Sequence, residues 1–379
     1  PYRPNPTLKH AGTRGLFTAA IFTLDKHGPL RDADMCGLDR PIARGVFTFS
    51  ILFRYGGHSR SEGTEMSAGV KLGADCFSQG TSWDYYIASM IRAEELGYAS
   101  LWTPDHVLPT MPGGNGEGDI LEAMMCLAAV AQSTSRATLG LLVSPITLRN
   151  PAVLTKMITT LDHISSGRVI FGVGAGWAQE EHRQYGVEFG DGFGERLRWL
   201  QEALPVMRGM LDGTRPTASG PRYSMVETLN NPPPVQDHLP IMIAGSGPKV
   251  TLRLVAEYGD MCNMIGPPEF IAARERQLVE HCEAVGRDSS EIERTIAFRQ
   301  PVIRDTEEEA QTVAAHISAH HAINPPFLDM AGTPDALFEK LMPYLDLGYR
   351  HLIFQFLAPF DHETMERMIS EVKPQLESA

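Results

Sequence analysis

The chain has 379 residues, of which 43% are hydrophobic and 21% charged, as is typical of a globular protein with a large core. Its formal net charge of -13 argues against nucleic acid or an anionic membrane as the main partner, because an acidic surface repels both. The five cysteines are scattered without paired spacing, which predicts neither a disulfide framework nor a metal site and fits a cytoplasmic location. A small-molecule substrate is the expected partner.

Residues 1–65 differ from the rest of the chain. They carry nine Lys/Arg and six Asp/Glu, so they are basic within an acidic protein, and they show no sustained hydrophobic period. Their most apolar run, "GLFTAAIFTL", is too short to span a bilayer and lacks a clear cleavage site. We expect residues 1–65 to lie outside the core domain of residues 66–379, either as a flexible extension or as sequence upstream of a natural start at Met66. A structured subunit contact is the alternative.

From Met66 onward the chain alternates predicted strands and helices. A capping box of Thr81 and Asp84 predicts a helix to about Leu96, and a second helix is predicted over residues 119–134. Asn150 and Pro151 are predicted to open a third helix, and a further helix is predicted over residues 194–211. Buried strands are predicted at residues 70–77, 98–103, 137–143, 168–174, 239–245, 259–266, 295–303 and 350–356. Eight such units predict the α/β class and a closed (β/α)8 TIM barrel, with an open doubly wound sheet as the alternative.

In such a barrel the active site lies where the strands end. The second predicted strand ends in "WTPDHVLP", which places Asp105 and His106 at the rim. A histidine there can exchange a proton near neutral pH, although the pair could equally hold the shape of the loop. Leu141 and Leu142 end the third strand, where they either face a ligand or belong to the barrel core.

Two glycine clusters follow the fourth and fifth strands, "GVGAGW" at residues 172–177 and "AGSGPKV" at residues 244–250. Glycines allow a flat ligand or a phosphate to approach the backbone, and Trp177 could form a wall of the pocket or simply pack. The turn Gly245–Gly247 is predicted to open a helix and to bind a phosphate, with a ligand-free turn as the alternative. Neither cluster matches the G-x-G-x-x-G dinucleotide fingerprint.

Several stretches together resemble one known family. "LRNPAVLTKMITTLDHISSGRVIFGVGAGWAQEEHRQYG", "WTPDHVLP", "LPIMIAGSGPKVTLRLVAEYGD" and "HCEAVGRDSSEIERT" look like the luciferase-like monooxygenase superfamily, and in particular its group that uses the deazaflavin coenzyme F420. The resemblance runs from about Val70 to the C-terminus. It implies a TIM barrel of the bacterial luciferase-like type and an oxidoreductase.

The resemblance also implies roles for individual residues. The bulge around Leu141 and Leu142, which in relatives often contains a cis non-proline peptide, would back the deazaflavin ring, and His106, with its neighbour Asp105, would lie near the reactive part of that ring. The remaining cofactor contacts would come from Asn150, Gly174, Ala175, Gly176, Trp177, Ala244, Gly245, Ser246 and Gly247, with the turn 245–247 taking the phosphate. Sugar-phosphate dehydrogenases of this superfamily carry a glutamate where this chain has Trp177, so glucose 6-phosphate is not the expected substrate.

Three functions are compatible with this resemblance. The first is hydride transfer between F420 and a small organic substrate, the second is an FMN-dependent monooxygenase, and the third is a barrel that binds a flavin without turnover. The longer carboxylate-bearing tail of F420 would distinguish it from FMN, and Lys249 and Arg183 are either its partners or solvated surface charges. A homodimer is expected.

Overall fold

The structure is a computed structural model that describes residues 69–110 and 117–379. The expectations for residues 1–65 therefore lie outside the described residues. The first described element is a strand that starts at Lys71.

Eight parallel strands form a closed barrel. They are β1 (Lys71–Cys76), β2 (Ser100–Thr103), β3 (Thr138–Leu141), β4 (Val169–Gly174), β5 (Ile241–Ala244), β6 (Met261–Met264), β7 (Glu293–Arg299) and β8 (His351–Phe356). The strands pair in chain order, and β8 pairs with β1 through His351 and Lys71, which closes the sheet. The predicted (β/α)8 barrel is confirmed.

Helices follow each strand and cover the outside of the barrel. They are α1 (Trp83–Leu96), α2 (Ala123–Ser133), α3 (Pro151–Ser165), α4 (Gln179–Tyr185), α5 (Phe193–Leu211), α6 (Thr251–Tyr258), α7 (Pro268–Val285), α8 (Glu307–His320), α9 (Pro334–Asp346), α10 (His362–Arg367) and α11 (Lys373–Ser378), with a π-helical turn at Met368–Val372. None of the helices in the described ranges is long and apolar enough to cross a membrane.

The caps explain where two helices begin. Asn150 caps α3 as predicted, because its side chain accepts a hydrogen bond from Ala152 N at 2.9 Å. The prediction for α1 was wrong by one residue. Ser82, in an extended conformation, caps this helix by accepting from Tyr85 N at 3.3 Å, so Thr81 lies outside it.

Two local features differ from the predictions. No helix is predicted between the strand at residues 168–174 and the helix at residues 194–211, but the structure contains the short helix α4 there. Its sequence is polar almost throughout and so has no hydrophobic period. The predicted strand 295–303 ends at Arg299, because Gln300 adopts a positive φ of 30° that breaks the extended chain. Val302–Ile303 then pairs with Ala331–Gly332 beside the barrel.

Alternation along the strands gives the barrel interior an apolar layer, which closes the base of the cavity, and a polar layer above it. A cluster of buried side chains fills the base: Trp102, Ile170, Met242, Met261 and Ile353. Two residues further along their strands, Asn263 follows Met261 and Gln355 follows Ile353, so both point into the same interior nearer the carboxyl ends. The base is a packed core, and ligands have access only above it.

Candidate active site

A cavity of about 290 Å³ opens at the carboxyl ends of the strands. Its β3–β5 side is lined by small or aliphatic groups, namely Leu142, Val143, Pro145, Gly176 and Ala244. Its β6–β8 side carries larger polar and apolar side chains, including Asn263, Ile265, Arg299, Gln300 and Gln355. His106, Trp177 and Glu181 line the mouth between these sides. The position agrees with the general location of active sites in this fold.

The wall on the β3–β5 side is built around a bulge at the end of β3. Strand pairing stops at Leu141 and resumes at Ser144–Pro145, and the Leu142–Val143 peptide between them is cis, as the resemblance implies for this position. Leu142 and Val143 line the cavity, whereas Leu141 is fully buried and does not. Of the two predicted leucines, the structure brings Leu142 to the cavity.

The glycines of "GVGAGW" accommodate this bulge. A Cβ atom at Gly172 would lie 2.0 Å from the Leu141 carbonyl oxygen, and one at Gly174 would lie 3.0 Å from the Val143 side chain. Gly176 has a φ of +80°, and a Cβ there would lie 2.8 Å from Thr147 Oγ1. The protein's own packing around the bulge thus requires these glycines, while Gly176 also lines the cavity. Ala175 is buried beside them.

The turn Gly245–Gly247 lies just beyond Ala244, the last residue of β5 to line the cavity. Gly245 has a φ of +123° and donates its N–H to Asn263 O at 3.0 Å, so that N–H is already used. The N–H groups of Ser246 and Gly247 have no acceptor among residues 69–110 and 117–379. Helix α6 starts at Thr251, later than predicted, so the turn is not the N-terminus of this helix. An anion could bind there only through the two N–H groups of Ser246 and Gly247.

His106 is held in the cavity mouth by Glu181 of α4. Its Nδ1 atom lies 3.2 Å from each carboxylate oxygen of Glu181, which also accepts a hydrogen bond from Val107 N at 3.1 Å. Glu181 is only 1% exposed. The carboxylate places the imidazole proton on Nδ1, which leaves Nε2 available to a ligand. Trp177 packs edge-on against the imidazole, with ring centroids 5.4 Å apart.

Asp105 points away from the cavity and into a buried ion pair. Its Oδ2 atom lies 2.5 Å from Arg149 Nη1, its Oδ1 atom 3.1 Å from Arg149 Nη2, and Ser144 donates a hydrogen bond at 2.6 Å. Arg149 also contacts Glu122, the cap of α2, at 2.7 Å. The structure therefore separates the predicted pair, with His106 in the cavity and Asp105 in a network that joins the ends of β2 and β3 to α2.

The other predicted site residues lie nearer the surface. Asn150 is exposed at the cap of α3 and does not line the cavity. Trp177 lines the mouth but is 64% exposed. Arg183 pairs with Glu180 within α4 at 2.5 Å, and Lys249 is exposed after the turn. Whether these four side chains contact a cofactor stays a prediction.

A buried acid on β1 lies beside the cavity-lining residue Gln355 of β8. Asp75 is completely buried, its Oδ2 atom accepts a hydrogen bond from Gln355 Nε2 at 3.2 Å, and its Oδ1 atom has no partner among the described residues. Burial raises the pKa of Asp75 to about 8, although the hydrogen bond from Gln355 lowers it in part. Burial thus favours the protonated carboxyl group, and its hydrogen bond fixes the lining residue Gln355.

Sequence reasoning missed Glu181, Arg299, Gln355 and Asn263. Glu181 is one of two adjacent glutamates in a short polar helix, and nothing in the sequence shows which of them faces the barrel. The other three carry a weak signal, because each is a polar residue near the carboxyl end of an otherwise apolar strand.

Residues 49–351 match the family model described as luciferase-like monooxygenase. The chain belongs to the luciferase-like monooxygenase family. One relative, named F420-dependent glucose-6-phosphate dehydrogenase, from Amycolatopsis mediterranei, is 28% identical over 80% of this chain and 98% of its own. Another of the same name, from Nocardia farcinica, is 30% identical over 70% of this chain and 85% of its own.

A solved structure with the same fold is described as an F420-dependent secondary alcohol dehydrogenase in complex with an F420-acetone adduct. It matches with a TM-score of 0.70 and 20% identity, over 81% of this chain and 99% of that chain. At this identity the likeness concerns the fold.

Proposed function

We propose that this protein is an oxidoreductase that uses coenzyme F420 to exchange a hydride with a small organic substrate. The observation that carries the proposal is the His106–Glu181 pair, whose Nε2 atom has no hydrogen-bond partner within residues 69–110 and 117–379, beside an uncharged wall of Leu142, Val143, Gly176 and Ala244. A planar ring fits such a wall, because no charged or bulky polar side chain projects from it. When bound, the deazaflavin supplies the hydride chemistry.

The chain's own residues supply proton transfer and orientation. His106 gives or takes a proton at Nε2 when a carbonyl or hydroxyl group of the substrate changes oxidation state. Glu181 is a positioning residue that holds Nδ1 and balances the charge of the imidazolium. Trp177 covers the outer edge of the imidazole and limits the access of water from that direction.

The curated relatives support F420 over FMN, because those named above are F420-dependent by name and cover most of this chain. The fold alone does not choose between the cofactors. Their named substrate, glucose 6-phosphate, is not expected here, because Trp177 stands where the resemblance places a glutamate in sugar-phosphate dehydrogenases. The expected substrate is another small organic molecule.

Cofactor choice is tested by spectral titration of the purified protein. We expect F420 to bind at least 10-fold more tightly than FMN, because the F420 tail adds charged contacts beyond the phosphate that both cofactors share. The absorbance of each cofactor is followed at increasing protein concentration, with oxygen consumption measured in the presence of reduced FMN. Tighter binding of FMN together with oxygen consumption would favour the monooxygenase instead.

The phosphate turn is tested by Gly247→Val. A valine side chain would keep an anion away from the N–H groups of Ser246 and Gly247, and loss of one or two charge-assisted hydrogen bonds at about 1.5–3 kcal/mol each should weaken F420 binding about 10-fold or more. A Cβ at this position would lie 2.7 Å from Thr251 Oγ1, so the variant is also made with Thr251→Ala to relieve that contact. Gly194→Val is the control, because a Cβ there meets open space. Unchanged affinity in a folded double variant would place the phosphate elsewhere.

A further inference from the structure

Among the described residues that line the β6–β8 side of the cavity, one is a cation. Arg299, at the end of β7, lines the cavity, and its guanidinium carbon lies 5.2 Å from the ring centroid of Phe327. It forms no ion pair or hydrogen bond with any residue of the ranges 69–110 and 117–379. Contact with an aromatic face orients the planar guanidinium and leaves its N–H groups for another partner.

The other described residues that line the β6–β8 side of the cavity are uncharged. The amide groups of Gln300 are already used, since Nε2 donates to Pro301 O at 3.3 Å and Oε1 accepts from Leu357 N at 2.8 Å. The remaining surface on this side is mainly apolar and comes from Phe77, Ile265, Ala297, Phe327 and Leu357. An unpaired arginine next to apolar side chains is suited to a ligand with an anionic group and an apolar body.

The anion that fits is a carboxylate. A guanidinium pairs with a planar carboxylate through two parallel hydrogen bonds, and one positive charge balances one negative charge. A phosphate dianion would be only half neutralised by Arg299, and the carboxylate of Glu181 in the same cavity would repel a dianion more strongly than a monoanion. The cavity of about 290 Å³ must also take the deazaflavin ring on its β3–β5 side, so the substrate beside Arg299 must be small.

We propose that the substrate of this enzyme is a small carboxylic acid with an apolar body, and that Arg299 binds its carboxylate. This inference rests on the proposed function, because the predicted cofactor contacts on the β3–β5 side leave the β6–β8 side for the substrate. Arg299 is thus a specificity-determining residue, and it places the reacting carbon of the substrate between itself and His106.

The test uses the F420-loaded protein and two probes of equal shape, benzoate and its neutral counterpart benzamide. Binding is followed by calorimetry and does not depend on turnover. We expect benzoate to bind at least 10-fold more tightly than benzamide, and Arg299→Met to abolish that preference, because the charge-assisted hydrogen bonds are lost. Arg299→Lys should retain part of it, since a lysine keeps the charge without the planar fork. Arg198→Met, an exposed arginine of α5 outside the cavity, should change nothing.

Each alternative gives a different result. Equal affinities for benzoate and benzamide, or a preference that survives Arg299→Met, would overturn the proposal. A loss of F420 affinity in Arg299→Met with unchanged benzoate binding would assign Arg299 to the carboxylates of the cofactor tail. If glucose 6-phosphate displaces benzoate and binds more tightly than benzoate in a way that depends on Arg299, the anion that Arg299 binds is a phosphate and not a carboxylate. If F420 does not bind the native protein, the proposed function fails. The titration of the cofactor-free protein with benzoate and benzamide still tests whether Arg299 binds a carboxylate.

Discussion

His106→Ala should lower the turnover rate about 100-fold or more, the usual size of a general acid or base contribution, and should change F420 affinity by no more than a few-fold. A group that acts mainly in the transition state contributes to the rate and little to ground-state binding. The rate and the spectral dissociation constant are measured on the same preparation. His316→Ala, an exposed histidine of α8, is the matched control.

Glu181→Gln separates positioning from proton transfer. The amide keeps the size of the side chain but cannot balance an imidazolium charge, so the rate should fall, but by less than in His106→Ala. If both variants lose F420 affinity as strongly as they lose rate, His106 is a binding residue. If His106→Ala keeps its full rate, the histidine only holds the shape of the loop.

The sequence predicts the barrel well because each strand leaves a local signal. Buried parallel strands are continuous apolar runs, and the helices between them start at recognisable caps such as Asn150. Where that signal is absent the prediction fails, as in α4, which has seven residues and no hydrophobic period. Gln300 ends its strand by backbone geometry, which its residue type does not indicate.

The site is less predictable, because its chemistry comes from contacts between distant residues. His106 is found from its place after a strand, but its partner Glu181 lies 75 positions away in the sequence. Asp105 looks like part of the same site until Arg149, 44 positions away, is seen to hold it. Gly172 looks like a ligand-binding glycine, whereas the structure places the Leu141 carbonyl where its side chain would be.

The buried network around Asp105 makes Arg149 a determinant of stability. The side chain of Asp105 is 0% exposed and that of Arg149 only 15%, so water screens their attraction weakly. Arg149 contacts both oxygens of Asp105 and also Glu122, whose other oxygen caps α2 by accepting from Met125 N at 2.7 Å. Without the guanidinium, the buried carboxylate of Asp105 would keep one hydrogen-bond partner among the described residues, the hydroxyl group of Ser144.

Arg149→Met should therefore lower the free energy of unfolding by about 3–5 kcal/mol, the usual cost of an uncompensated buried charge. Urea denaturation at neutral pH measures this loss, with Arg198→Met as a surface control expected to stay within about 0.5 kcal/mol of the parent. Adding Asp105→Asn to Arg149→Met should recover part of the lost stability, because the neutral amide removes the charge that had no partner. A single variant that loses less than about 1 kcal/mol would mean that water or a rearranged loop solvates Asp105. The ion pair would then be dispensable for the stability of the fold, and its remaining role would be to position the loop that carries His106.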